Sequence, residues 1–193
     1  LFFPHYSGAG AQALTLSKAL VAQGASVMFV TPGFDGDSAF EKYEGFRVFR
    51  VRLASQGILG LLMFWIRLFR ILFQRRREFN LIHVHGVGIH QILIGLYGKI
   101  LGCETLIKVT MADVDLNFVK KGRLLGRLEQ WCFLHFSRYV SLSSEITSEL
   151  KALGIPDHQI VTLPNGVDTG RFHPVSPSEK DLIRAKLQLS KKK

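Results

Sequence analysis

Two glycines near the start of the chain have the spacing of an anion-binding loop. Gly8 and Gly10 follow a short apolar run and open a helical pattern, in the order GxGxxA. Glycines let backbone N–H groups approach a phosphate, and a helix N-terminus favours negative charge. The spacing also fits a dinucleotide fingerprint, although Pro4 lengthens the preceding loop and Asp35, the candidate ribose acid, follows a Pro-Gly pair. The stretch therefore predicts phosphate binding, with an NAD-dependent dehydrogenase and a plain strand-to-helix connection as alternatives.

Basic side chains lie in two further apolar runs. His83 and His85 are two residues apart in the run LIHVH, so they point to one face of a strand. Lys108 stands near the end of the run ETLIKVT. Ligands of open α/β sheets bind outside the carboxyl ends of the strands, so we expect His85 to line a cleft and Lys108 to bring positive charge to its rim. No Cys or acidic residue is close to the histidines in sequence, so we expect no metal; a buried, hydrogen-bonded histidine is the alternative.

Acidic and amide side chains follow two later runs. Asp113 and Asp115 come directly after the Lys108 run and could accept protons from sugar hydroxyls, or could cap a helix. The segment LPNGVDTGRFHP follows the run QIVTL, and its Asn165-Gly166 pair is typical of a tight turn with positive φ. We expect this turn to lie beside the glycine loop, because both segments follow parallel strands at their carboxyl ends.

Apolar runs and helical patterns alternate along the chain, as in a parallel sheet with helices on both faces. The segment 32–45, rich in Gly and Asp, is predicted to be a loop, and Arg47, Arg50 and Arg52 take the polar positions of the next strand. Predicted strands cover 1–3, 26–31, 46–53, 81–85, 104–110, 138–142 and 159–163. Predicted helices cover 11–23, 57–77, 89–101, 121–136, the segment from Ser143 or Ser144 to 153, and 178–189.

The helix predicted over 57–77 is the most apolar stretch of the sequence. Between Ile58 and Phe73 its polar residues share one narrow stripe, and three arginines, 75–77, follow at once. The uninterrupted apolar run is shorter than the roughly 20 residues that span a bilayer. A helix that is apolar nearly all round is buried or lies in a membrane interface. Two interpretations therefore stay open: a core helix with a solvated basic end, or an interfacial helix with Trp65 inserted beside anionic headgroups.

The composition limits the classes of protein. Hydrophobic residues make up 47% of the 193 residues, which excludes a disordered tail, and the formal net charge of +10 indicates an anionic partner. A basic nucleic-acid-binding module is disfavoured because most aromatic residues fall in apolar runs that predict core. The two cysteines cannot form a disulfide framework, so a reducing compartment is expected. Both ends of the sequence interrupt a pattern, so we expect a piece of a larger protein.

The ordered set of motifs resembles family 4 of the glycosyltransferases, which have the two-domain GT-B fold. The segment LPNGVDTGRFHP resembles the family's P-N-G-V-D signature, with Asn165, Gly166 and Asp168 in the matching places. The family's glycine loop is resembled by the segment GAGAQALTLSKALVAQGASVMFVTP. Its D-x-x-H-x-H stretch is resembled by FNLIHVHG, in which Asn80 takes the place of the Asp. The stretch that leads to the signature is resembled by ALGIPDHQIVTL. The resemblance covers residues 1–175 and implies a Rossmann-like amino-terminal domain, with 176–193 beginning the link to a second, absent domain.

The resemblance also implies a function. Such enzymes move a sugar from a nucleotide diphosphate to an acceptor hydroxyl with retention, commonly without a metal, and need no further cofactor. It implies that Gly8, Gly10 and Lys108 meet the donor phosphates and that His85, Asp113 and Asp115 line the acceptor side. Many members carry a His where Lys108 stands, so that role is not carried over. The expected partners are a nucleotide sugar, a glycan or lipid-linked acceptor and an anionic membrane surface, at a cytoplasmic, peripheral location. Without the second domain the chain is expected to be inactive.

Overall fold

A computed structural model describes residues 2–53, 57–113, 115–116, 124–170 and 172–189. Leu1 of the first predicted strand, Lys121 at the start of a predicted helix, Arg171 of the signature segment and the terminal Lys191–Lys193 lie outside the described residues.

The strands form two sheets. Three strands pair in the order β1-β3-β2, with β1 parallel and β2 antiparallel to β3. Four strands, β4 to β7, pair in chain order and are all parallel. The strands are β1 Met28–Gly33, β2 Phe40–Tyr43, β3 Phe46–Arg52, β4 Leu81–His85, β5 Glu104–Val109, β6 Arg138–Ser141 and β7 Ile160–Thr162. The predicted parallel sheet flanked by helices is confirmed for the four-stranded sheet, while the first three strands form a separate, mixed sheet.

Helices precede β1, connect the strands from β3 onward and follow β7. They are α1 Gly8–Ala22, α2 Gly57–Gln74, α3 Ile94–Leu101, α4 Leu124–Phe133, α5 Ser144–Ala152 and α6 Pro177–Lys186, with a short 3-10 turn at Asp157–Gln159. Ser143 caps α5 by accepting a hydrogen bond from the amide of Ile146, as the sequence predicted. The largest core cluster packs the helices α2, α3, α4 and α5 against the four-stranded sheet. A smaller cluster packs Phe2 and Leu14 on β3.

The two faces of β5 have different surroundings, and this positions the site. Thr105, Ile107 and Val109 are buried on one face, where Gly98 of α3 approaches so closely that a Cβ would lie 2.2 Å from the Thr105 methyl group. Because successive residues of a strand alternate, Lys108 points to the opposite face. The register pairs His85 with Lys108, so both side chains lie on this second face.

Three predictions about the amino-terminal region were wrong. Phe40–Tyr43, predicted as loop, forms β2 along β3. Phe2 and Phe3 are not in a strand; their rings pack on Phe29 and Tyr43 instead. Arg50, assigned to a polar position, is 5% exposed, because its guanidinium donates to Phe3 O and pairs with Glu41.

Candidate functional site

A cavity of about 370 Å³ lies at the carboxyl ends of the parallel strands. His85 and Lys108 reach it from β4 and β5, and Leu142 and Asn165 reach it from the segments that follow β6 and β7. The remaining wall is the start of α1. The cavity is lined by Tyr6, Gly8, Ala9, Ala11, Gln12, His85, Lys108, Thr110, Leu142 and Asn165. This is the edge at which open α/β sheets bind their ligands, and the predicted proximity of the glycine loop and Asn165 is confirmed.

The first turn of α1 provides backbone donors to this cavity. Ser7 caps the helix, and its Oγ accepts a hydrogen bond of 3.0 Å from the amide of Gly10. The Gly10 amide is therefore engaged in the cap, and Gly10 does not line the cavity. Helix geometry leaves the amides of Gly8 and Ala9 without an intrahelical acceptor, and both residues line the cavity. Gly8, not Gly10, is thus placed to donate to an anion there.

Lys108 is the cation of the cavity. It is 7% exposed, and its Nζ donates a hydrogen bond to Oδ1 of Asn165. An ammonium group has three protons to donate, so the bond to Asn165 leaves donors for a ligand. Burial lowers the pKa of Lys108 from its ordinary value. A buried cation beside helix amides is a favourable environment for a phosphate.

The two histidines of β4 are held neutral. The centroids of their rings lie 4.2 Å apart, which confirms that both side chains point to the same face of the strand. Burial lowers the pKa of His85 to about 3, with smaller electrostatic contributions from the neighbouring His83 and Lys108. Burial, and then the charge of Lys108, lowers the pKa of His83 to about 4. Nε2 of His83 is buried without a hydrogen-bond partner among the described residues. Gly86 follows with φ of +83°, a conformation that favours glycine.

The predicted acidic residues lie away from the cavity lining. Oδ2 of Asp115 accepts hydrogen bonds from the amides of Thr110 and Met111 and from the Thr110 hydroxyl, so it fixes the chain after β5. Asp113 is exposed, and its amide donates to Oε1 of Glu149. Asp168, in the signature segment, is also exposed and not among the lining residues. The acceptor-side roles of the first two therefore stay predictions.

The segment after β7 also differs from its prediction. The φ angle of Gly166 lies outside the left-handed region, so the expected positive-φ turn is wrong. Asn165 still reaches the cavity, because Lys108 holds its side chain. Sequence reasoning missed the lining residues Gln12 and Thr110; the signals were that Gln12 lies one helical turn after Gly8, and that Thr110 ends the run containing Lys108.

The described residues contain no group of three or more His, Cys, Asp or Glu side chains that could hold a metal ion. The polar groups of the cavity are instead backbone amides, an ammonium, two amide side chains, two hydroxyl groups and a neutral imidazole. Such a set suits an anionic, oxygen-rich ligand.

Comparison with solved structures shows that the chain has the fold of one Rossmann-like half of a GT-B architecture. It aligns with the Anabaena protein Alr3699/HepE in complex with UDP and glucose at a TM-score of 0.62 and 15% identity, over 97% of this chain and 48% of that one. It also aligns with an E. coli structure described as trehalose-6-phosphate bound with UDP-2-fluoro glucose. That alignment has a TM-score of 0.55 and 10% identity, over 97% of this chain and 53% of that one. The chain thus spans about half the length of these structures.

The family follows from the sequence itself. The model of Glycosyltransferase Family 4 matches residues 6–171. The chain belongs to this family, and the predicted resemblance is confirmed. No curated protein shows significant sequence similarity to it.

Proposed function

We propose that this chain is the acceptor-binding half of a retaining glycosyltransferase that transfers a hexose from a nucleotide diphosphate sugar. The observation that carries the proposal is the cavity in which Lys108, Asn165 and the free amides of α1 converge at the strand ends. The family match supports the reaction class. The neighbours bound to UDP and UDP-glucose support a nucleotide-sugar partner.

In this proposal, the chain's residues act on charge and orientation. The amides of Gly8 and Ala9 and the ammonium of Lys108 receive the diphosphate, whose negative charge grows as the sugar leaves. Asn165 holds Lys108 toward the cavity. His85, neutral near pH 7, can exchange hydrogen bonds with a sugar hydroxyl without adding charge. No step requires a metal or cofactor.

The acceptor that we propose is a glycan or a lipid-linked sugar, in a pathway of glycan synthesis at the cytoplasmic face of a membrane. Asp113 and Asp115 lie in the segment after β5 and are proposed on the acceptor side; Asp115 accepts hydrogen bonds from Thr110 of the cavity. Because the chain covers about half of its structural neighbours, we propose that it does not transfer sugar by itself. Measurable transfer by the purified chain would contradict that point, and a product of inverted anomeric configuration would contradict retention.

The test of the site is calorimetric titration of the chain with UDP, GDP and ADP, each beside its monophosphate. We expect saturable binding of at least one diphosphate, weaker binding of the matching monophosphate, and no saturable binding of NAD. Equal binding of mono- and diphosphates would contradict a diphosphate site. Saturable NAD binding would favour the dehydrogenase alternative.

A further inference from the structure

Helix α2 packs on the core through only one of its faces. Gly60, Phe64, Leu68 and Leu72 are its buried residues, and they are spaced four apart. This spacing defines a single stripe of the helix. Trp65 lies toward the same side, because its Nε1 donates a 3.1 Å hydrogen bond to the carbonyl of Ile89. The insertion of Trp65 into a membrane, which only the interfacial interpretation of this helix expected, is therefore wrong.

The opposite face of α2 is both apolar and exposed. Its exposed apolar residues are Ile58 80%, Leu59 69%, Leu62 47%, Met63 38%, Ile66 54% and Phe73 46%. At 100° per residue, these side chains fall within about 140° of the helix circumference. In length and composition α2 could cross a membrane, but only 22% of it is buried, and that part anchors it to the core. A contiguous exposed apolar face of this size marks an interaction surface.

Arginines border this face. At 100° per residue, Arg70 lies near one edge of this arc, between Leu59 and Met63, and Arg67 lies about 40° beyond it. With Gln74, these two arginines line a groove of about 280 Å³ against β3. Arg76 and Arg77, just past the end of α2, are exposed. The sequence has no Asp or Glu between Glu44 and Glu78, while eight arginines fall in that interval. The surface is thus apolar at its centre and cationic at its edge.

We propose that this α2 face docks on a bilayer that contains anionic phospholipids. The apolar side chains enter the boundary between headgroups and acyl chains, as interfacial helices do. The arginines meet lipid phosphates, and the groove at Arg67 and Arg70 receives one of them. The charge excludes a second copy as the preferred occupant, because a symmetric dimer would bring the arginines of both copies together. The surface is separate from the nucleotide cavity, since no α2 residue lines that cavity.

The experiment is sedimentation of the purified chain with vesicles of phosphatidylcholine alone or with 30% phosphatidylglycerol, at low salt. We expect binding to the anionic vesicles and little binding to the neutral ones. Replacing both Arg70 and Arg77 with Gln should weaken binding to the anionic vesicles about 30-fold, because each arginine near an anionic surface strengthens binding roughly fivefold. The matched control removes two exposed lysines of α6, Lys180→Gln with Lys186→Gln, and should change binding far less.

The apolar part is tested with Ile58→Ser, Leu62→Ser and Ile66→Ser together, which should abolish sedimentation. The control replaces three exposed apolar residues elsewhere, Ile100, Leu128 and Leu187, and should retain it. UDP titration and circular dichroism of each variant separate loss of docking from loss of the nucleotide site or of folding. A native chain that stays in the supernatant overturns the proposal. So does self-association that the triple variant abolishes, since a second copy would then cover the face.

Discussion

The Nζ of Lys108 donates a hydrogen bond to Oδ1 of Asn165, which lies 57 residues later in the chain. The bond joins the end of β5 to the segment that follows β7, across β6. It directs the buried ammonium into the cavity at the strand ends. The same contact therefore holds the signature segment in place and orients the cation of the site.

Lys108→Gln should weaken binding of a nucleoside diphosphate by about 10- to 100-fold, because a hydrogen bond to a charged group contributes about 1.5–3 kcal/mol. Calorimetric titration with UDP, or with the diphosphate that binds best, measures the effect. Lys99→Gln removes the same charge from an exposed position of α3 and is the control. Equal affinities of the two variants would remove Lys108 from the site.

The neutral histidines of β4 predict an acid-sensitive fold. The pKa values of about 4 for His83 and about 3 for His85 lie below the ordinary 6.5. At a pH between the ordinary pKa of 6.5 and these lowered values, the unfolded chain binds more protons than the folded chain. The free energy of unfolding therefore falls as the pH falls from about 6.5 toward 3. The double variant His83→Gln with His85→Gln should show a shallower fall of Tm over that range.

The exposed His158 provides the matched control for this titration. His158→Gln should follow the native pH profile of Tm, because this side chain is exposed, whereas burial lowers the pKa values of His83 and His85. A double variant as acid-sensitive as the native chain would show that other groups cause the loss, such as carboxylates or His90, whose pKa burial also lowers.

Arg50 should be a stabilising residue of the first sheet. Its side chain is 2% exposed and pairs with Glu41 at 2.5 Å, with Asp37 at 3.7 Å from Nε. Arg50→Ala removes the cation that pairs with Glu41 and the donor to the carbonyl of Phe3, while Asp37 keeps its pair with His5, and should lower the free energy of unfolding by about 1–3 kcal/mol. Arg52→Ala breaks an exposed pair with Asp35 and should cost less than about 1 kcal/mol. Urea unfolding compares them; equal losses would contradict the burial argument.

The alternation of strands and helices was readable from sequence because each apolar run is short and ends at a polar or glycine residue. The elements from β4 onward match their predictions within a few residues for this reason, and the strand pairing brings Lys108 and His85 to one face. The family motifs then indicated which edge of the sheet carries the site.

Other features depend on long-range contacts that leave no local pattern. β2 forms in a segment rich in turn residues because β3 offers it an antiparallel edge. Arg50 is buried because Glu41 and the carbonyl of Phe3 approach it from other segments. Asn165-Gly166 has the composition of a tight turn, yet a side-chain bond from β5 determines its position instead.

The most direct test of the central claim is a titration of the ¹⁵N-labelled chain with UDP, followed by amide chemical shifts. We expect saturable shifts at Gly8, Ala9, Thr110 and Asn165, with none along α2. Lys108→Gln should reduce these shifts at equal ligand concentration. Shifts centred on the Arg67 and Arg70 groove, or no saturable shifts with any nucleoside diphosphate, would contradict a donor-phosphate site at the strand ends.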